Sequence, residues 1–284
     1  MQTILITGGS GFIGSNFINL MLSGEFSDLN LRIINLDALT YAGNPENLQA
    51  VENKNNYVFI HGSIQNNELV KYICQKYEVD GIINFAAESH VDRSILNAQP
   101  FIDTNISGTL NLLEVARFLN IKKFLQISTD EVYGSLGDDG KFTESTPITP
   151  NSPYSASKAS ADHLVQAFHN TYGLNTLITR CSNNYGPYQF PEKLIPLMML
   201  NAMENKKLPV YGDGLNVRDW IYVTDHCRGI WTVFEKGVFG EVYNIGGNSE
   251  KTNIEIVKLI LKYLGKQDSL IKYVNERPGH DRIY

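Results

Sequence analysis

The sequence predicts an α/β fold: a doubly wound parallel sheet followed by a smaller, mixed α/β C-terminal lobe that binds substrate. Three observations lead there. Short apolar runs rich in β-branched residues alternate with stretches of helical periodicity up to residue 186, the rhythm of parallel strands joined by covering helices. The first of these runs opens onto a cluster of glycines that leads directly into a helix. Beyond residue 187 the rhythm breaks into shorter segments punctuated by Pro187, Pro191, Pro196 and Pro209. Residues 1–186 are therefore expected to form one sheet-bearing domain, and 187–284 a smaller lobe interleaved with it and covering its cleft.

Thr3-Ile4-Leu5-Ile6-Thr7 is the first expected strand. It runs into Gly8-Gly9-Ser10-Gly11-Phe12-Ile13-Gly14, which reads as G-x-x-G-x-x-G or as G-x-G-x-x-G, and residues 12–22 then have helical periodicity. Glycine at 8, 11 and 14 permits a tight turn and a close approach of backbone to a pyrophosphate at the helix N-terminus, which marks the sheet as Rossmann-like. A bare glycine pattern is weak. Here a strand precedes it, a helix follows it, and Asp37 stands at the right distance, ending the second apolar run Leu31 to Leu36. A carboxylate at that point accepts from a ribose 2′-hydroxyl and repels a 2′-phosphate, so NAD is favoured over NADP.

Tyr57 to Ile60 reads as a third strand, residues 66–77 as a helix, and Gly81 to Ala86 as a fourth strand. The strand leads into Ala87-Glu88-Ser89-His90-Val91-Asp92-Arg93, where small residues would let a dinucleotide lie close. Residues 101–119 read as one long helix with Ile102, Ile106, Leu110, Leu113 and Ala116 apolar. Phe124-Leu125-Gln126-Ile127 is a fifth, buried strand, and 134–153 a surface loop with turn signals at Asp138-Asp139-Gly140 and three prolines. A helix from Tyr154 to Tyr172 stops at Gly173, and Leu174 to Arg180 is a sixth strand.

Two segments carry chemistry. Ser128-Thr129-Asp130-Glu131-Val132-Tyr133-Gly134 places a hydroxyl and two adjacent carboxylates at the end of a strand. Tyr154-Ser155-Ala156-Ser157-Lys158 places a phenol and an ammonium on one helix face. With a pKa of about 10 a phenol is a poor base, and a lysine on the same face is expected to lower it. Two close carboxylates push each other's pKa apart, leaving one as base and the other as acid. Either segment alone has an ordinary reading, as a solvated helix face or as loop chemistry. Behind a dinucleotide fingerprint the pair reads as an active site. In the smaller lobe Asn183, Asn184, Lys193, Tyr211, Arg218, Asn253, Arg277 and His280 are the polar candidates, with arginine suited to a diphosphate.

Composition narrows the partners. The chain is 43% hydrophobic and 19% charged over 284 residues, as in a soluble globular protein with a sizeable core. The net charge of −6, with no basic stripe among the aromatics, excludes a nucleic-acid or anionic-membrane partner. Cys74, Cys181 and Cys227 are far apart and show no ligand spacing, so no metal is expected and buried reduced thiols are. The N-terminal apolar run is too short for a signal peptide and no run is long enough for a bilayer, so the expected location is the cytoplasm.

The glycine segment 8–14, the segment 128–134 and Tyr154 to Lys158 together resemble the extended short-chain dehydrogenase/reductases. Further segments narrow the resemblance: 36–44, 86–94, 180–187, Tyr211-Gly212-Asp213-Gly214, Arg218-Asp219-Trp220, 243–247 and Arg277-Pro278-Gly279-His280-Asp281. Over nearly its whole length the chain is similar to the dTDP-glucose 4,6-dehydratase family. The resemblance implies NAD held by Gly8, Gly11, Phe12, Ile13, Gly14, Asp37, Leu39, Thr40, Ser63, Ile64, Ala86, Ala87, Ser89, Thr104, Tyr154, Lys158 and Asn184. It implies a nucleoside-diphosphate sugar held by Ser89, His90, Thr129, Asn183, Lys193, Leu194, Pro209, Tyr211, Arg218, Asn253, Arg277 and His280.

By the same resemblance, catalysis falls to Thr129, Asp130, Glu131, Tyr154 and Lys158. Tyr154 would take the sugar 4-hydroxyl proton as hydride leaves C4 for NAD, with Thr129 bonded to that hydroxyl. Glu131 would remove the C5 hydrogen and neutral Asp130 protonate the departing 6-hydroxyl, before hydride returns to C6. A homodimer packed through the 101–119 and Tyr154 helices, and a place in deoxysugar synthesis of the dTDP-rhamnose kind, are also implied. The sequence departs from the family in two places: Ser63 stands where an aspartate is usual, and similar proteins continue past Tyr284, so a truncated lobe is expected. Among alternatives, a UDP-glucose 4,6-dehydratase shares the catalytic set. A nucleotide-sugar 4-epimerase needs no acid pair, and a non-catalytic NAD sensor need not keep all four groups.

Overall fold

The computed structural model describes residues 1–137, 140–276 and 281–283. The expected turn at Asp138-Asp139 and the candidates Arg277 and His280 lie outside the described residues. The strands are β1 (Gln2–Thr7), β2 (Leu31–Asp37), β3 (Tyr57–His61), β4 (Gly81–Asn84), β5 (Lys123–Thr129), β6 (Thr176–Cys181), β7 (Asn183–Tyr185), β8 (Leu208–Tyr211), β9 (Val217–Tyr222), β10 (Val242–Ile245), β11 (Glu250–Thr252) and β12 (Ile271–Val274). The helices are α1 (Phe12–Leu22), α2 (Asn67–Lys76), α3 (Val91–Leu96), α4 (Gln99–Phe101), α5 (Thr109–Phe118), α6 (Pro153–Tyr172), α7 (Leu194–Met203), α8 (Val223–Lys236) and α9 (Asn253–Tyr263).

Seven strands form one sheet in the order β10-β6-β5-β4-β1-β2-β3, and every neighbouring pair is parallel. Alternation along each strand supplies two cores. On one face Ile4, Ile6, Ile33 and Ile83 meet Phe17, Ile18 and Met21 of α1 and Ile230 and Phe234 of α8. On the other, Leu5, Ile34, Ile82 and Phe124 meet Val70 and Ile73 of α2, Leu112 and Leu113 of α5, and Val165 and Phe168 of α6. Burial on both faces explains why these strands read as continuous apolar runs. Each fully buried Ile, Leu or Phe contributes about 1.5–3 kcal/mol.

Residues after 187 serve both parts of the molecule. α8 and β10 return to the large sheet, while Met198, Leu208, Val210, Ile254, Val257 and Leu261 build a separate core from α7, β8 and α9. β9 lies between β7, parallel, and β11, antiparallel, and β8 pairs with β12. In the large sheet the strand order reverses between β1 and β4, and the crevice beyond their carboxyl ends is where such sheets take ligands.

The expected single helix over 101–119 is corrected. α4 and α5 are joined by a π-helical turn, Ile102–Gly108. A side chain at Gly108 would meet Ile64 Cδ1 at 2.5 Å, and Asn105 reaches inward to bond the Glu88 backbone and Ser157 Oγ. The wider turn satisfies both demands and turns Thr104 toward the crevice. No helix among the described residues is long and apolar enough to cross a membrane.

Candidate active site

The glycine turn is held from below. Gly8 has φ +68°, and a β-carbon there would lie 2.7 Å from Ala86 Cα; one at Gly14 would lie 2.5 Å from Gly8 O. Only glycine lets the turn pack this closely against β4 and α1. The Gly9 N–H donates to Asn35 Oδ1 at 3.1 Å, which fixes the turn to β2. α1 starts at Gly11 with no side-chain cap, so the first N–H groups, from Phe12 onward, point out of the helix end.

Asp37, at the end of β2, accepts N–H bonds from Ser10 on Oδ2 and Leu39 on Oδ1, each 2.8 Å. Burial raises its pKa and these two bonds oppose the rise. Each carboxylate oxygen keeps a lone pair for a ribose hydroxyl, and a buried anion there opposes a 2′-phosphate. The residues present therefore fit NAD.

They line one end of a cleft of about 590 Å³, together with Thr40, Ser63, Ile64, Ala86, Ala87 and Thr104. Leu39 sits outside the residues that line the cleft, at φ 49° in the turn that presents its N–H to Asp37. Ser63, in place of the usual aspartate, accepts the Gln65 N–H at 3.1 Å.

At the middle of the cleft, β5 and β6 bring Thr129 opposite Cys181 and Ser128 opposite Arg180. A 3-10 turn, Asp130–Tyr133, follows at once, capped by the Thr129 hydroxyl, which accepts the Glu131 N–H at 3.3 Å. The same hydroxyl donates to Asp130 Oδ1 at 3.3 Å and faces the Tyr154 phenol. Tyr154 lies in the first turn of α6, which is fixed by a Ser152–Ser155 capping box with Pro153 between and ends at Gly173 in the left-handed conformation. Thr129, Glu131, Tyr154 and Lys158 line the cleft, while Asp130 is behind that wall.

Burial, then the charge of Glu131, hold Asp130 well above the usual carboxylate range. The sequence expectation for Tyr154 is corrected. Burial first and Glu131 second push the phenol well above its ordinary value. Lys158 does not offset this, because its Nζ donates to Ile127 O at 2.6 Å and burial lowers its own pKa, with Asp162 opposing.

The far end of the cleft carries Ser89, His90, Asn183, Asn184, Lys193, Leu194, Pro209, Tyr211, Arg218 and Asn253. Lys193 Nζ donates to Ser89 O at 2.8 Å, tying the two banks together. Arg218 is 2% exposed, and its Nη2 donates to Asp281 O at 2.8 Å. Burial, then Lys193, push His90 down, so it is neutral. Asn184 Nδ2 donates to Ser182 O, which leaves Oδ1 for His226 Nδ1 at 2.8 Å. His226 is buried, its pKa pushed down to about 3 by burial, and it props a cleft residue.

Sequence reasoning missed Glu192. Its carboxylate accepts from Tyr41 Oη at 3.0 Å and stands 3.6 Å from His90 Nε2 and 3.7 Å from Arg93 Nε, and the Arg93 guanidinium stacks on the Tyr41 ring at 3.6 Å. The cluster joins three segments, at Tyr41, at His90 and Arg93, and at Glu192, by contact alone, and its only sequence signal is the position of Glu192 beside Lys193.

A family model described as GDP-mannose 4,6 dehydratase matches residues 5–284. A dTDP-glucose 4,6-dehydratase of Xanthomonas campestris pv. campestris (strain B100) is 54% identical, with 100% of this chain and 85% of that protein covered. The crystal structure of dTDP-glucose 4,6-dehydratase from Bacillus anthracis in complex with NAD is similar at TM-score 0.93 and 55% identity, covering 100% of this chain and 87% of that one. That of the Streptomyces venezuelae dTDP-glucose 4,6-dehydratase with NAD and TYD bound is similar at TM-score 0.97 and 49% identity, again covering 100% and 87%. The chain belongs to the dTDP-glucose 4,6-dehydratase family.

Proposed function

We propose that the chain catalyses the NAD-dependent dehydration of dTDP-glucose to dTDP-4-keto-6-deoxyglucose, as a hydro-lyase. One observation carries this reading: Thr129, Glu131, Tyr154 and Lys158 meet at the middle of one cleft with Asp130 directly behind, between the glycine turn with Asp37 and the bank with Lys193 and Arg218. An acid pair adjoining a phenol is what elimination needs and epimerisation does not.

NAD, when bound against Asp37 and the glycine turn, would supply the hydride acceptor for oxidation at C4 and, after water has left, the hydride donor that saturates C6, so that no net NADH forms. Tyr154 Oη takes the proton of the sugar 4-hydroxyl, which Thr129 orients. Lys158, one turn along α6 with its Nζ on Ile127 O, lines the same cleft, but burial and Glu131 outweigh its pull on the phenol. Once C4 is a carbonyl the C5 hydrogen is acidic, and Glu131 takes it. Asp130, kept neutral by burial and by the charge of Glu131, delivers its proton to the departing 6-hydroxyl. Arg218 and Lys193 supply positive charge for the diphosphate.

The same reading makes the enzyme a cytoplasmic homodimer. Three buried free thiols, Cys74, Cys181 and Cys227, suit a reducing compartment. Phe118 on α5 and Tyr172 on α6, 68% and 50% exposed, supply apolar surface for a twofold contact.

Mass spectrometry of dTDP-glucose and, separately, UDP-glucose after incubation with the protein and catalytic NAD tests the reading. Loss of one water from dTDP-glucose, faster than from UDP-glucose and without accumulating NADH, is expected. Faster loss from UDP-glucose would reassign the base, and net NADH without loss of water would overturn dehydration.

A further inference from the structure

We propose that Asp162 and Arg180, neither of which lines the cleft, are positioning residues that set the pH range in which Tyr154 and Lys158 work. The proposal rests on the catalytic reading of that pair given above.

Asp162 follows Lys158 by one helical turn on the same face of α6, which puts their β-carbons about 5–6 Å apart. Both are buried, at 0% and 4% exposure. Asp162 Oδ2 accepts from Arg180 Nε at 2.9 Å. Its Oδ1 is buried with no hydrogen bond of good geometry among the described residues; the Ser128 hydroxyl, in the same condition, faces it. Arg180 thus engages one carboxylate oxygen, where a bidentate contact would have engaged both. The other oxygen leaves the anion's field to act on Lys158 through a buried, low-dielectric path.

Arg180 is locked in turn. Its Nη1 donates to Tyr133 Oη at 2.9 Å, Tyr133 Oη donates to Asn244 Oδ1 at 2.8 Å, and the guanidinium lies 4.9 Å from the Tyr133 ring centre. Tyr133 closes the 3-10 turn that carries Asp130 and Glu131. The two carboxylates on that turn and the ammonium on α6 are therefore braced on one buried ion pair. Lys158, Asp162 and Arg180 together carry one net positive charge beneath Tyr154, against the carboxyl pair on its other side. Burying an ion pair is costly in its own right, and apolar residues of the same volume would pack as well. A charge that acts on the neighbouring titratable groups gives the pair a use.

The groups facing Tyr154 and Lys158 are Asp162 on their own helix, Asp130 and Glu131 after β5 and Cys181 on β6; Arg180 faces Asp162, and Arg218 and Asp219 on β9 face Asp130. Elements packed against the rest of α6 carry charges engaged elsewhere. Asp103 accepts from Gln99, Glu114 pairs with Arg117, Asp92 accepts from Tyr211, and Arg93 stacks on Tyr41.

Removing the anion and removing the cation have opposite consequences. In Asp162→Asn, Lys158 loses its proton more readily and Tyr154 ionises more readily, so both limbs of the pH–rate profile move to lower pH, by about one unit. In Arg180→Met both limbs move up by about as much, and Arg180→Lys restores the wild-type profile. The same shifts are expected in the ultraviolet titration of the Tyr154 phenolate without turnover, with Tyr154→Phe as the blank for the other tyrosines. A fall in kcat with unmoved limbs, or shifts of one sign in both variants, would overturn the proposal. If Asp162→Asn does not fold, the contrast of Arg180→Met with Arg180→Lys decides alone. If the wild type releases no water the dehydratase reading fails, while the phenolate titration still tests the role of the ion pair.

Discussion

Asp130 is where stability and chemistry oppose each other. A carboxyl whose pKa is raised in the folded state binds its proton more tightly there than when unfolded, so stability falls as pH rises from the usual carboxylate range through the raised value. Asp130→Asn removes that penalty: Tm is expected to rise at neutral pH, and the gain to vanish below about pH 4, where the wild-type group is protonated in both states. Turnover in the same variant is expected to fall by about 10²–10⁴, the usual share of a general acid. Calorimetry at two pH values and a product assay check both halves. Glu131→Gln is expected to lose exchange of the C5 hydrogen with solvent while still forming some 4-ketone, read by deuterium incorporation. At this scale the sequence was informative for Gly8, Gly14, Asp37 and the acid pair, because each works within its own turn. It was misleading for Tyr154, because the phenol's surroundings are set by burial and by Glu131 across the cleft, and no spacing on α6 encodes either.

Elements were legible where one periodicity held from end to end. The strands up to β6, with α1, α2 and α6, follow from apolar runs, capping residues and terminal glycines. The π-helical turn did not follow, since a single wider turn leaves the apolar pattern on either side intact and is forced by the close approach of Gly108 to Ile64. The strap formed by the Glu192 cluster was hidden for a related reason, as its four members, Tyr41, His90, Arg93 and Glu192, meet only when β2, α3 and the segment before α7 are already in place. Glu192→Ala removes the acceptor of the Tyr41 bond and the partner of His90 and Arg93. A charge-assisted bond is worth about 1.5–3 kcal/mol, so release of NAD is expected to quicken by roughly tenfold or more, with kcat little changed. The NAD retained after gel filtration measures it, and retention equal to wild type would remove the strap from the account.

At the scale of the whole molecule, the parallel sheet and its two helical layers follow from the alternation of runs, but the return of the chain does not. α8 and β10 rejoin the large sheet after the irregular stretch that begins at Pro187, and a four-residue strand closing an edge leaves little trace in sequence. That return positions β7 and β9, and with them Asn183 and Arg218, over the carboxyl ends of β5 and β6. Exposed apolar side chains on α5 and α6 make a prediction at this scale. With the proposed twofold contact, the wild type is expected to sediment as a dimer and Phe118→Asp as a monomer with the fold kept. The central claim, however, is elimination within one cleft. It is tested most directly by converting dTDP-glucose in heavy water with catalytic NAD and analysing the product by mass spectrometry and NMR. The account predicts a 4-keto-6-deoxy sugar with one deuterium at C5 and the former C4 hydrogen on C6. An undehydrated sugar carrying no deuterium, epimerised or oxidised at C4, would contradict it.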